Sequence, residues 1–168
     1  ESLELIASEN YVSQEVISAY SNVFTNKYSE GYPGKRYYGG NEVVDELELY
    51  TQDLALQIFW LDKNSWAVNV QPLSGSVANL AVYTGVLEAG DTILAMDLAS
   101  GGHLTHGMNL NASGKYFNFI HYGVDKDGII DYDNLKKLAL EHQPKLILAG
   151  FSSYPRSIEW DKFVECKK

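Results

Sequence analysis

The 168 residues include 13 Lys and Arg against 22 Asp and Glu, a formal net charge of −9, with 45% hydrophobic and 21% charged residues. That balance supports a buried core and disfavours nucleic acid or an anionic membrane as a partner, since both attract positive patches. The single Cys166 excludes an intrachain disulfide framework and a cysteine-built zinc site; it fits a reducing compartment, with the cytoplasm as the expected location and a mitochondrion or other organelle as the alternative.

In chain order, Val12, Val16, Ile17, Tyr20, Val23 and Phe24 recur at helical spacing, which predicts a helix over 12–24. A loop rich in glycine, proline and tyrosine follows from Lys27 to Asn41. Asn41 is placed to cap the next helix, whose first turn holds Glu42, Asp45 and Glu46, where the helix dipole favours negative charge. Val43, Val44, Leu47, Tyr50, Leu54, Ile58 and Phe59 give that helix one apolar face. Trp66–Val70 reads as a strand, Ser76–Leu87 as a helix closed by Gly90, and Thr92–Met96 as a second strand. Tyr116–His121 reads as a strand, Asp133–His142 as a helix stopping before Pro144, and Lys145–Gly150 as a strand buried on both faces. Strands alternating with helices predict an α/β layer with a mainly parallel sheet. The apolar runs are too short to cross a membrane. Half a sheet leaves an edge and apolar faces open, so the 168 residues are expected to be a piece of a larger fold that associates rather than a well-behaved monomer.

Four segments hold groups suited to chemistry. Leu73-Ser74-Gly75-Ser76-Val77-Ala78-Asn79 lies between a strand and a helix, where free backbone N–H groups and the helix dipole suit a phosphate. An ordinary serine cap explains the same residues. Ser100-Gly101-Gly102-His103-Leu104-Thr105-His106-Gly107 follows the Thr92–Met96 strand, and α/β sheets bind ligands beyond the carboxyl ends of their strands. No carboxylate or cysteine accompanies its two histidines, so no metal site is expected. An imidazole there can stack on an aromatic ring, relay a proton, or simply be satisfied within the loop. Tyr28-Ser29-Glu30-Gly31-Tyr32-Pro33-Gly34-Lys35-Arg36-Tyr37-Tyr38-Gly39-Gly40 supplies phenols and a carboxylate for acid–base work, or aromatic area for a protein contact. Leu5-Ile6-Ala7-Ser8-Glu9-Asn10 is, by itself, a capping region. No Walker pattern and no G-x-G-x-x-G is present.

In order and spacing, these stretches, with Val-Asn-Val-Gln-Pro-Leu-Ser-Gly-Ser and Ser-Tyr-Pro-Arg, resemble serine hydroxymethyltransferase from Leu5 to Arg156. The tyrosine loop and Gly-Gly-His-Leu-Thr-His-Gly are the most specific parts. The resemblance implies an aspartate-aminotransferase-like α/β fold of pyridoxal-phosphate enzymes (fold type I). Residues 1–40 would form an N-terminal helix and active-site loop, and 41–168 the first part of the large cofactor-binding domain. It implies conversion of serine and tetrahydrofolate to glycine and 5,10-methylenetetrahydrofolate, in a homo-oligomer (dimer or tetramer) with a shared active site.

By the same resemblance, Ser74, Gly75 and Ser76 would hold the cofactor phosphate, His103 would stack on the pyridine ring, and Ser152 would lie near the phenolic oxygen. Tyr28 would reach the phosphate in the neighbouring subunit. Ser8 would contact the amino acid. Glu30 would be the acid–base group, in a protonated role favoured by desolvation beside the aromatic rings. Tyr38 would assist substrate binding and proton transfer. Leu98, Gly102 and Leu104 would line the folate site. The family also uses an Asp-x-x-His stretch and a Thr-His-Lys stretch whose lysine holds the cofactor covalently. Neither pattern occurs in these residues, which leaves an alternative expectation of a catalytically inactive fragment serving as an interaction module. A threonine-aldolase-like relative is a weaker alternative, opposed by the tyrosine loop.

Overall fold

The computed structural model describes residues 3–6 and 8–166. Residue 7 of the Leu5–Asn10 segment and the final Lys167 and Lys168 lie outside the described residues. Two compact units are present: Asn10–Leu73, and the residues from Ser74 onward together with the strip before Asn10.

The smaller unit begins with helix α1, Gln14–Tyr20, whose Val16 N–H donates to the Ser13 hydroxyl at 3.3 Å. The expected helix over 12–24 breaks at Ser21 and Asn22. The Asn22 side chain accepts from Phe24 N–H and caps a separate 3₁₀ turn, Val23–Asn26. Such residues compete with helical hydrogen bonds through their own side chains. Next come β1, Gly31–Tyr32, and β2, Lys35–Arg36, paired antiparallel. Helix α2 spans Glu42–Ile58 with acidic residues in its first turn.

Asn41 stands at the cap position of α2, but its side chain does not cap. Its amide instead donates to the Tyr38 carbonyl at 2.8 Å, turned back toward the loop. The apolar face of α2 exists but is not covered: Val43, Leu47, Tyr50, Leu54 and Ile58 are exposed, and only Leu56 is buried. Trp66–Val70 is not a strand; it is unpaired chain. Its residue types suit a strand, but no described strand offers it a ladder, and propensity does not replace a partner.

The larger unit is a parallel α/β layer. Helix α3, Gly75–Val86, leads to β3, Thr92–Met96. The short α4, Ala112–Tyr116, precedes β4, Asn118–Tyr122. Helix α5, Tyr132–His142, leads to β5, Leu146–Ile147, and α6 is Trp160–Val164. The sheet order is β4-β3-β5, with β3 parallel to both neighbours. Strand β4 begins two residues later than the sequence suggests because Asn111 caps α4, which absorbs Tyr116.

Alternation along β3 divides the core. Leu94 and Met96 pack with Tyr122, Ile130, Leu135 and Ala139. Ile93 and Ala95 pack with Tyr83, Leu87 and Phe117. Helices α5 and α3 thus cover opposite faces of the central strand. Each fully buried large apolar side chain contributes about 1.5–3 kcal/mol. The Leu146–Ala149 run, expected to be buried on both faces, is only half-buried, because β5 lies at the edge of the described sheet. Helix α5 stops at Gln143, which takes a left-handed conformation (φ 45°) before Pro144.

Candidate functional site

In the larger unit, the carboxyl ends of β3 and β5 feed two loops that meet. The Ser152 and Ser153 N–H groups donate to the Gly101 carbonyl at 2.9 and 3.1 Å. Gly102 N–H donates to the Asp97 carbonyl at 2.9 Å, and Asp97 accepts from Ser100 N–H at 2.6 Å. The backbones are in direct contact. A Cβ on Gly101 (φ 114°) would lie 2.8 Å from Tyr154 N, and one on Gly102 would lie 2.3 Å from the Met96 carbonyl oxygen. Only glycine fits both places.

Helix α3 is tied to the same loop. Asn79 Nδ2 donates to Thr105 Oγ1 at 2.8 Å, and Tyr83 OH donates to the Thr105 carbonyl at 3.1 Å. Thr105 is fully buried. The Nδ1 atom of half-buried His103 lies 2.8 Å from Thr105 Oγ1 and accepts from Thr105 N–H at 3.1 Å. Close by, His106 is buried and its Nδ1 donates to the Met96 carbonyl at 3.2 Å. Burial pushes the His106 pKa down, and the neighbouring His103 and His121 push it further.

At its N-terminus, α3 starts from Ser74 in extended conformation, whose hydroxyl accepts from Val77 N–H at 3.5 Å, a long contact. The N–H groups of Gly75 and Ser76 have no acceptor among the described residues, the first turn holds no acidic side chain, and a Cβ on Gly75 would meet open space. These features fit a phosphate: free N–H donors, the positive end of a helix dipole, and room for close approach.

Gly102, His103 and Ser152 thus share the loops beyond the carboxyl ends of β3 and β5, and Asn79 ties the helix that starts at Ser74–Ser76 to the same loops. Leu98 and Leu104 flank them as exposed apolar side chains. Ser8 is exposed, and no hydrogen bond among the described residues joins it to these loops. A groove of about 640 Å³ in this unit is lined by Leu140, Pro144, Ile147, Trp160, Phe163 and others, and contains none of the candidate site residues.

In the smaller unit, the Tyr28 and Tyr38 rings meet edge to face at 5.0 Å. Glu30 is exposed, so within its loop the tyrosines do not provide the desolvation expected for it. The backbone around Glu30, however, is held closely. Arg36 Nη1 donates to the carbonyls of Ser29 and Gly31 at 2.9 and 2.8 Å, and Tyr37 N–H donates to the Glu30 carbonyl at 3.1 Å. Arg36 is itself anchored by Asp45 and Glu48 of α2, each at 2.7 Å. The Gly34 N–H and Arg36 hold the Asp45 carboxyl below the usual carboxylate range. Gln71 Nε2 donates to both the Gly31 carbonyl and Glu48, at 2.9 Å each.

Arg36, Asp45, Glu48, Gln71, Asn79, Tyr83 and Thr105 were not legible as site residues. The only signal was the 45/48 spacing, which puts two carboxylates on one face of α2 behind a loop containing cations.

A parallel α/β layer with a glycine-locked loop beyond its strand ends and an open helix N-terminus defines the class: a parallel α/β unit of the kind whose strand-end loops form sites. The serine hydroxymethyltransferase family model matches residues 1–168, and the chain belongs to that family. It is 57% identical over 164 residues to a serine hydroxymethyltransferase of Rhodopirellula baltica. That match covers 97% of this chain and 38% of the relative, so the chain spans about two fifths of the length of the relative it matches.

Proposed function

We propose that the protein containing this chain is a pyridoxal-phosphate-dependent serine hydroxymethyltransferase. It would convert serine and tetrahydrofolate to glycine and 5,10-methylenetetrahydrofolate on a fold type I scaffold, as a homo-oligomer in the cytoplasm. Family membership supports the reaction. The observation that carries the reading for this chain is the open N-terminus of α3 tied through Asn79 to the His103 loop. The exposed apolar face of α2 supports association with a further copy.

Bound pyridoxal phosphate supplies an electron sink for charge that develops at the substrate α-carbon. Ser74, Gly75 and Ser76 would hold its phosphate with backbone and hydroxyl donors. His103 would stack on its ring, and Ser152 would serve its phenolic oxygen. Tyr28 would serve the phosphate in the neighbouring subunit. Ser8 and Tyr38 bind the amino acid, and Glu30, whose backbone Arg36 fixes in place, moves the proton near the serine hydroxyl. Leu98, Gly102 and Leu104 line the folate site.

The test uses the full-length protein. Serine-to-glycine turnover should require both pyridoxal phosphate and tetrahydrofolate. Ser74→Ala with Ser76→Ala should weaken cofactor binding at least roughly tenfold, since a hydrogen bond to a charged group is worth about 1.5–3 kcal/mol. Parent-like cofactor affinity in that variant would overturn the phosphate assignment, and absence of turnover would overturn the reaction.

A further inference from the structure

We infer that Thr105, backed by Asn79 of α3, is a positioning residue that fixes the tautomer of His103, with Nδ1 unprotonated and the ring proton on Nε2. The inference rests on the reading of His103 as the ring that lies against the cofactor, and it deepens that reading by assigning the chemical face the ring presents.

The argument follows from donor and acceptor capacities. A backbone N–H can only donate, so the Thr105 N–H at 3.1 Å requires a lone pair on His103 Nδ1. The Thr105 hydroxyl has one hydrogen. Asn79 Nδ2 donates into that oxygen at 2.8 Å, which leaves the hydroxyl hydrogen free to point at Nδ1, also at 2.8 Å. Two donors thus converge on one nitrogen, and a proton placed on Nδ1 would face both of them. The neutral imidazole has a single N–H, so it sits on Nε2, for which the described residues offer no partner.

The clamp is buried and braced. Thr105 is 0% exposed, and Tyr83 OH holds its carbonyl at 3.1 Å. Because Asn79 and Tyr83 both belong to α3, the ring of His103 is referenced to the same helix whose N-terminus offers the phosphate donors. His103 therefore presents a donor, not an acceptor, at its unpaired nitrogen, so any ligand atom that pairs with Nε2 is a hydrogen-bond acceptor.

The experiment is long-range proton–nitrogen NMR of the full-length protein with ¹⁵N-labelled histidine near neutral pH, with His103 assigned by the loss of its signals in His103→Gln. The expected pattern is a lone-pair-bearing Nδ1 and a protonated Nε2 before any cofactor is added. Thr105→Ser, which keeps both donors, should retain that pattern and the parent's turnover. Thr105→Val, which keeps the N–H but removes the hydroxyl, leaves one of the two donors, so both nitrogens should move only part of the way toward tautomer-averaged shifts, and turnover should fall roughly tenfold with the fold intact. A protonated Nδ1 in the parent, or a Thr105→Val spectrum identical to the parent's, would overturn the inference. Adding pyridoxal phosphate tests the underlying reading separately. If the His103 signals hold the expected pattern but do not respond to the cofactor, the stacking role fails while the tautomer assignment stands.

Discussion

Replacing Tyr83 by Phe removes one oxygen and little else. The ring sits edge to face with Phe117 at 5.8 Å and with Phe119 at 5.9 Å, and phenylalanine keeps both contacts. What disappears is the donor to the Thr105 carbonyl, on a tyrosine and a threonine that are both fully buried. A buried acceptor left without a partner costs about 1–3 kcal/mol, more than the net worth of an average hydrogen bond. Burial also pushes the Tyr83 phenol up, so it is a neutral donor across the working pH range. The assay is urea unfolding of the full-length protein, with parent and variant compared at equal protein and cofactor concentrations, since bound ligand and assembly shift the midpoint. The variant should be destabilised by about 1–3 kcal/mol with an unchanged slope. A difference below about 0.5 kcal/mol would show that the carbonyl finds another partner, and the account of α3 as a brace for the Thr105 loop would be wrong.

Three other outcomes follow from the same structure. Gly107 has φ 88°, and a Cβ there would lie 2.3 Å from the Phe119 ring, so Gly107→Ala should cost roughly 1–3 kcal/mol from overpacking alone; an unchanged melting midpoint contradicts this. Leu135 is 0% exposed in the cluster beneath α5, and Leu135→Ala should cost about 2–5 kcal/mol in the same urea assay, with a loss under 1 kcal/mol counting against that core. His106 is held neutral by burial, whereas the unfolded chain takes up its proton below about pH 6.5. Its neutral form therefore stabilises the fold fully above that pH, and stability is lost as pH falls from about 6.5 toward the depressed folded value. His106→Gln should flatten the stability-against-pH curve in that window, and an unaltered slope would refute the reasoning.

Sequence patterning reached some of these features and not others, for identifiable reasons. Strand β3 was read with its observed bounds, because Thr-Ile-Leu-Ala-Met is an apolar run bracketed by turn residues. Helix α3 began within one residue of expectation, since Ser74 and Gly75 mark a helix start. Trp66–Val70 has the composition of a strand without the neighbour a strand needs, and composition cannot report a missing neighbour. Asn41 has the right residue type and position for a cap, yet the Tyr38 carbonyl claims its amide, a local competition that pattern does not resolve.

The site divides along the same line. Ser74–Ser76 stood out as a serine- and glycine-built helix start and His103 as part of a glycine- and histidine-rich loop, whereas Ser152 was reached only through the family resemblance. Arg36, which holds the loop around Glu30, and Thr105, which holds the His103 loop, act through partners 12 and 26 residues away, Glu48 and Asn79. Long-range pairing of ordinary residue types leaves little trace in a single sequence.

The contacts at Gly101 and Gly102 have a consequence for how this site can change over generations. The path of the loop is set by main chain against main chain, at Tyr154 and Met96, so it does not depend on the side chains beside it. Leu98 and Leu104 are exposed on that fixed track. On the proposed reading of Leu98 and Leu104 as folate-lining, substitutions there would alter which ligand surface is favoured while His103 keeps its place. Drift in ligand preference should therefore accumulate at Leu98 and Leu104, while the two glycines stay frozen.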